Sequence, residues 1–160
     1  MKKIFSTLFL AAFCALSWSA NAANDVSLED AQLIFGQAAA IPDFPVETQT
    51  VKSNVDGHPL AMAIIRPEGT PKAIVCFSHG MAEHKERYYP FMQYLAKHGY
   101  VCEMHDHRGH GKTAQLAESN GTGCFGKLAD KDGFNRVTDD LLEIVDELKK
   151  DYPGKKVILL

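Results

Sequence analysis

The stretch Lys72–Thr113, KAIVCFSHGMAEHKERYYPFMQYLAKHGYVCEMHDHRGHGKT, decides the fold. Ala73 to Phe77 is an unbroken apolar run, the pattern of a strand covered on both faces in a parallel sheet. It ends at Ser78-His79-Gly80. Tyr88, Phe91, Met92 and Leu95 then recur at i, i+3, i+4 and i+7, which predicts an amphipathic helix. Pro90 requires that it sit in the first turn, and Gly99 falls where a helix C′ residue belongs. Tyr100 to His105 predicts a second strand, stopped by Asp106-His107-Arg108-Gly109-His110-Gly111. Strand, helix and strand imply a right-handed βαβ crossover. Ligands of open α/β sheets bind outside the carboxyl ends of the strands, and both histidine-bearing glycine turns fall at that edge.

Outward from this unit, Asp56-Gly57 between Val46–Ser53 and Pro59–Arg66 is a hairpin signal. Leu60 to Ile65 is apolar on both alternating sets, so both faces of that strand are expected to be covered. Downstream, residues 114–133 are polar and glycine-rich and read as a surface loop with one helical turn, with Phe125 either touching a ligand or pinning the loop. Phe134 to Lys150 reads as an amphipathic helix with Phe134, Val137, Leu141, Ile144, Val145 and Leu148 as its stripe. Asp139, Asp140, Glu143, Asp146 and Glu147 read as its solvated face. Lys149 and Lys150 suit the negative end of the helix dipole. Lys155 to Leu160 begins a further buried strand.

The first 45 residues differ. Lys2-Lys3, the apolar run Ile4–Trp18 and Ala20-Asn21-Ala22 have the order of a secretory signal peptide with cleavage near Ala22. The run is short for a membrane anchor, so an exported protein, periplasmic or secreted, is expected. Residues 23–45 read as an N-terminal helix and linker, capped at Ser27 with Asp30 three residues on, and residues 46–160 as one α/β domain. The 160 residues carry 17 basic and 20 acidic side chains, a net charge of −3. No basic cluster favours nucleic acid or an anionic membrane surface as partner. Cys76, Cys102 and Cys124 lie beyond the leader. Cys76 and Cys102 sit on strands expected to be neighbours, where either a disulfide or two buried thiols is compatible with the sequence.

His79-Gly80-Met81-Ala82-Glu83-His84 resembles the HGxxEH turn of monoacylglycerol lipase-like and lysophospholipase-like α/β-hydrolases of the serine aminopeptidase S33 type. His105 to Gly111 resembles their HDHxGHG turn, with Thr113 where the family has a small polar residue such as serine. The resemblance runs from about Val46 to Leu160. It implies the N-terminal part of an α/β-hydrolase sheet, an antiparallel hairpin followed by parallel βαβ units. It also implies hydrolysis of a carboxylic ester, a monoacylglycerol or lysophospholipid, through an acyl-enzyme and without a cofactor. By the resemblance, the Met81 backbone N–H is an oxyanion-hole donor, with Gly80 allowing close approach and His79 shaping the turn. Glu83, His84, Asp106, Arg108 and His110 support the two loops. Asp106 is expected to accept backbone N–H bonds, and Arg108 to pair with it or with another carboxylate. In the family the strand that corresponds to Lys155–Leu160 leads into a G-x-S-x-G nucleophile elbow, with acid and histidine farther on. No G-x-S-x-G occurs in residues 1–160. The sequence therefore reads as a truncated portion, inactive alone.

Two rival readings are open. His105-x-His107-x-x-His110 after a strand resembles the zinc ligands H-x-H-x-D-H of metallo-β-lactamase-like hydrolases, though Gly109 stands where the aspartate belongs. Alternatively the chain is a vestigial, non-catalytic module.

Overall fold

The computed structural model describes residues 44–160. The expected signal peptide and the helix after Ser27 lie outside the described residues. Five strands and three α-helices follow: β1 Glu47–Lys52, β2 Pro59–Ile65, β3 Ala73–Phe77, α1 Tyr89–Lys97, β4 Tyr100–His105, α2 Gly111–Ser119, α3 Gly133–Asp151 and β5 Val157–Leu159, with a 3₁₀ turn at Lys85–Tyr88. The strands form one sheet in the order β1-β2-β4-β3-β5. β1 with β2 and β2 with β4 are antiparallel, whereas β3 is parallel to both β4 and β5. The hairpin and the parallel crossover are thus as the sequence implies.

The two faces of the sheet make separate cores. On one, Ile65, Val75, Phe77, Cys102 and Met104 pack with Met92 and Ala96 of α1 and with Phe44. On the other, Leu60, Met62, Ile64, Ile74, Cys76 and Val101 pack with Ile144 and Leu148 of α3. A helix on each face explains why every residue of β2 and β3 is buried and why neither strand shows polar alternation. Pro90 occupies the first turn of α1.

The register settles the cysteines. Cys76 is level with Glu103, and Cys102 with Val75. Adjacent positions on a strand point to opposite faces, so Cys76 and Cys102 belong to different cores, and both are buried free thiols. Burial pushes the Cys102 thiol up to about 12.

Five expectations are corrected. Residues 111–119 form a nine-residue helix rather than part of a loop. Its buried Ala114 and Ala117 are small enough for the helix to lie close to the sheet. Asp140 is 1% exposed rather than solvated, whereas Phe134, assigned to the apolar stripe, is 79% exposed. Phe125 is exposed, and its loop is held by the backbone bond from Gly126 N–H to Gly109 O at 2.8 Å. Finally, β5 is flanked only by β3 among the described residues, so Ile158 and Leu159 are exposed at the sheet edge rather than buried.

Candidate active site at the carboxyl edge of the sheet

The turn after β3 and the loop after β4 meet at the carboxyl edge of the two central parallel strands, and His79 joins them. Its Nε2 lies 2.9 Å from the His107 backbone N–H, and its Nδ1 lies 2.8 Å from Gly80 O. A backbone amide can only donate, so Nε2 is the acceptor. Nδ1 therefore carries the hydrogen and donates to Gly80. The ring is 5% exposed, and burial holds its pKa below the ordinary histidine value. His79 is thus a neutral imidazole of defined tautomer.

This bond orients the candidate oxyanion donor. Gly80 C=O and Met81 N–H belong to one planar trans peptide and point in opposite directions. Fixing the carbonyl toward His79 turns the amide outward. That amide donates to no group among the described residues, and the Met81 side chain is 93% exposed. A Cβ built at Gly80 meets nothing within 4 Å, so no described neighbour requires glycine there. The unusual backbone falls instead at Ala82, whose φ is 61°.

Asp106 is the second anchor. It is fully buried and accepts from Lys85 N–H, Lys85 Nζ and Lys112 N–H, each at 2.7 Å. One carboxylate therefore ties the turn after β3 to the first turn of α2. Burial works against the charge of Lys85, yet its hydrogen bonds to Asp106 and Glu86 hold its pKa above the usual lysine value. Gly111, at φ 47°, gives Asp106 its space: a Cβ there would lie 2.5 Å from the Asp106 carboxyl. Thr113 completes the joint, accepting from Ala61 N–H at 2.8 Å and donating to Asp106 O at 2.7 Å.

Arg108 does not pair with Asp106. It is 1% exposed and reaches Asp140 of α3 at 2.7 and 2.9 Å, and Asp56 of the β1–β2 turn at 2.5 and 2.9 Å. Burial opposes its charge, but the two carboxylates keep it firmly protonated. The hydrogen bond from Arg108 in turn lowers Asp56. His110 donates from Nδ1 to Arg108 O at 2.9 Å, closing its own loop. Gly109, at φ 74°, leaves room for the Lys127 backbone, 2.7 Å from where a Cβ would be. Glu83 accepts from the Tyr88 hydroxyl and lies 3.2 Å from Arg87, bracing the far side of the turn. His84 is a correction: its side chain is exposed and its ring bonds Glu86, at 2.7 Å, rather than the Met81 turn.

The histidines do not assemble as zinc ligands, and no three His, Cys, Asp or Glu side chains converge on a metal position among the described residues. Instead the rings pack on one another: His79 and His107 at 4.2 Å, His79 and His110 at 5.2 Å, His105 and His107 edge-on at 5.1 Å. His105 Nδ1 is turned to its own strand, 3.3 Å from Glu103 Oε1. Sequence reasoning missed Ser78, Lys85, Glu103, Asp56 and Asp140. An ionisable residue inside an apolar strand pattern marks Glu103, but only the fold reveals the partners of the others.

The family model described as serine aminopeptidase, S33, matches residues 69–160. Human monoglyceride lipase is 36% identical over 107 residues, covering 67% of this chain and 32% of the relative. Monoacylglycerol lipase of Mycolicibacterium smegmatis is 26% identical over 108 residues, covering 68% and 35%. Among solved structures, a carboxyl esterase from Bacillus coagulans in complex with glycerol superposes with a TM-score of 0.61 at 25% identity, covering 71% of this chain and 35% of that one. A lipase in an open form gives 0.62 at 26% identity, covering 72% and 35%. The chain spans about a third of the length of the curated relatives it matches. With more than half of its residues matched by one family model, and with two anchored turns at the carboxyl edge of a mixed sheet, the chain belongs to the serine aminopeptidase S33 family of α/β-hydrolases.

Proposed function

We propose that this chain supplies the N-terminal, oxyanion-binding part of an exported serine hydrolase that cleaves carboxylic esters, monoacylglycerols or lysophospholipids, through an acyl-enzyme. The observation that carries the reading is the Gly80–Met81 peptide, held at its carbonyl by His79 and presenting its amide outward. Acyl transfer builds negative charge on the former carbonyl oxygen, and a fixed donor aimed at that charge accelerates the step roughly 10²–10³-fold. The relatives named as monoglyceride lipases and the esterase structure support an ester as substrate. No G-x-S-x-G context for the nucleophilic serine occurs within residues 1–160. Residues 23–160 alone are therefore expected to give no turnover of a short-chain p-nitrophenyl ester, and measurable turnover would mean that they hold a nucleophile. Met81→Pro deletes the donor. In a catalytically active hydrolase that contains this chain it should lower kcat for monoacylglycerol by about 10²–10³; an unchanged kcat would sink the assignment of Met81.

A further inference from the structure

We propose that Ser78 is a ligand-contacting hydrogen-bond donor beside the Met81 turn, its hydroxyl freed to point outward because His107 donates to it from Nε2. Ser78 is the exposed residue at the carboxyl end of β3, and its Oγ lies 3.0 Å from His107 Nε2. One hydrogen occupies that contact, and it comes from either the serine or the imidazole.

The partners of the two His107 ring nitrogens assign it to the imidazole. His107 is neutral, held at about 3 by burial and by its three neighbouring imidazoles, and a neutral ring carries a single N–H. Its other nitrogen, Nδ1, is buried without a hydrogen-bond partner among the described residues. A hydrogen at Nδ1 would bury a donor with no acceptor, a rarer and costlier state than an unused lone pair. At Nε2 the same hydrogen is satisfied by Ser78.

His105 is fully buried, its ring 5.1 Å from that of His107, and its Nδ1 is turned to Glu103 Oε1 at 3.3 Å rather than to His107. Ser78 is the group that meets the ligand, and His107 positions it. Accepting from His107, Ser78 directs its own O–H at an acceptor oxygen outside. The choice of ligand, a carbonyl, ether or hydroxyl oxygen of a polyol ester, rests on the ester-hydrolase reading.

The test uses the 160-residue chain labelled uniformly with nitrogen-15. At neutral pH, imidazole NMR should place the His107 hydrogen on Nε2; a hydrogen on Nδ1 overturns the proposal. Titration with 1-monobutyrin should shift the His107 Nε2 and Met81 amide signals together, and Ser78→Ala should weaken that binding about tenfold, the loss expected for one hydrogen bond. Equal binding by both proteins overturns the role of Ser78 and leaves the ester reading standing. Binding by neither overturns the ligand assignment together with the ester reading.

Discussion

At the scale of single residues, the histidines divide by what their nitrogens touch. His79 works only as a neutral ring, because its Nε2 must accept from the His107 backbone. His79 and His107 are both held below the ordinary value of 6.5 by burial, His107 to about 3. The unfolded chain takes up these protons near pH 6.5 and the folded chain only at lower pH. The unfolded state therefore binds more protons in between, and stability falls as pH drops through that window. Carboxylates add little above about pH 5. Urea denaturation should accordingly show stability decreasing from pH 7 to 5, and His107→Gln should flatten that slope. A wild-type slope of zero there would contradict the neutral assignment. The motifs HGMAEH and HDHRGHG were legible in the sequence. Their division of labour was not, since His84 turns to solvent while His79, only five residues earlier, joins two loops.

At the scale of elements, α3 shows why an amphipathic pattern is an incomplete guide. Asp140 sits among acidic residues, yet it is buried because Arg108, on a loop 32 residues earlier, projects beneath the helix. The β1–β2 turn closes the same cluster through Asp56, so one guanidinium joins three elements. Asp140→Ala leaves Arg108 buried against the half-exposed Asp56 alone, and removing one partner of a buried pair costs about 3–5 kcal/mol. Asp139→Ala, one position along, should stay within about 0.5 kcal/mol as a surface change. Chemical denaturation of the two variants measures both; equal, small effects would mean that Arg108 finds other compensation. The helix α2 escaped the sequence reading for a related reason. Its first turn is capped by Asp106, outside the helix, and its buried face is made of alanines and a threonine rather than large apolar residues.

At the scale of the whole molecule, the sheet holds the two histidine turns side by side and keeps Cys76 and Cys102 apart. Nonreducing peptide mapping is expected to find both as thiols, and a Cys76–Cys102 peptide would require a different register from the one described. The exported state is a separate expectation: mass spectrometry of the secreted protein should find Ala23 first, and a retained Met1 would refute cleavage. By itself, the sequence determined the strand order along the chain, the helices α1 and α3, the hairpin, the parallel crossover and the two turns at the carboxyl edge. Those features rest on apolar periodicity and turn chemistry, which act over a few residues. Only the tertiary structure decided which charges pair, which histidine nitrogen holds a hydrogen, and which way the Met81 amide faces. Each of these depends on groups tens of residues apart, brought to hydrogen-bond distance by strand register and by helices packed on opposite faces of one sheet.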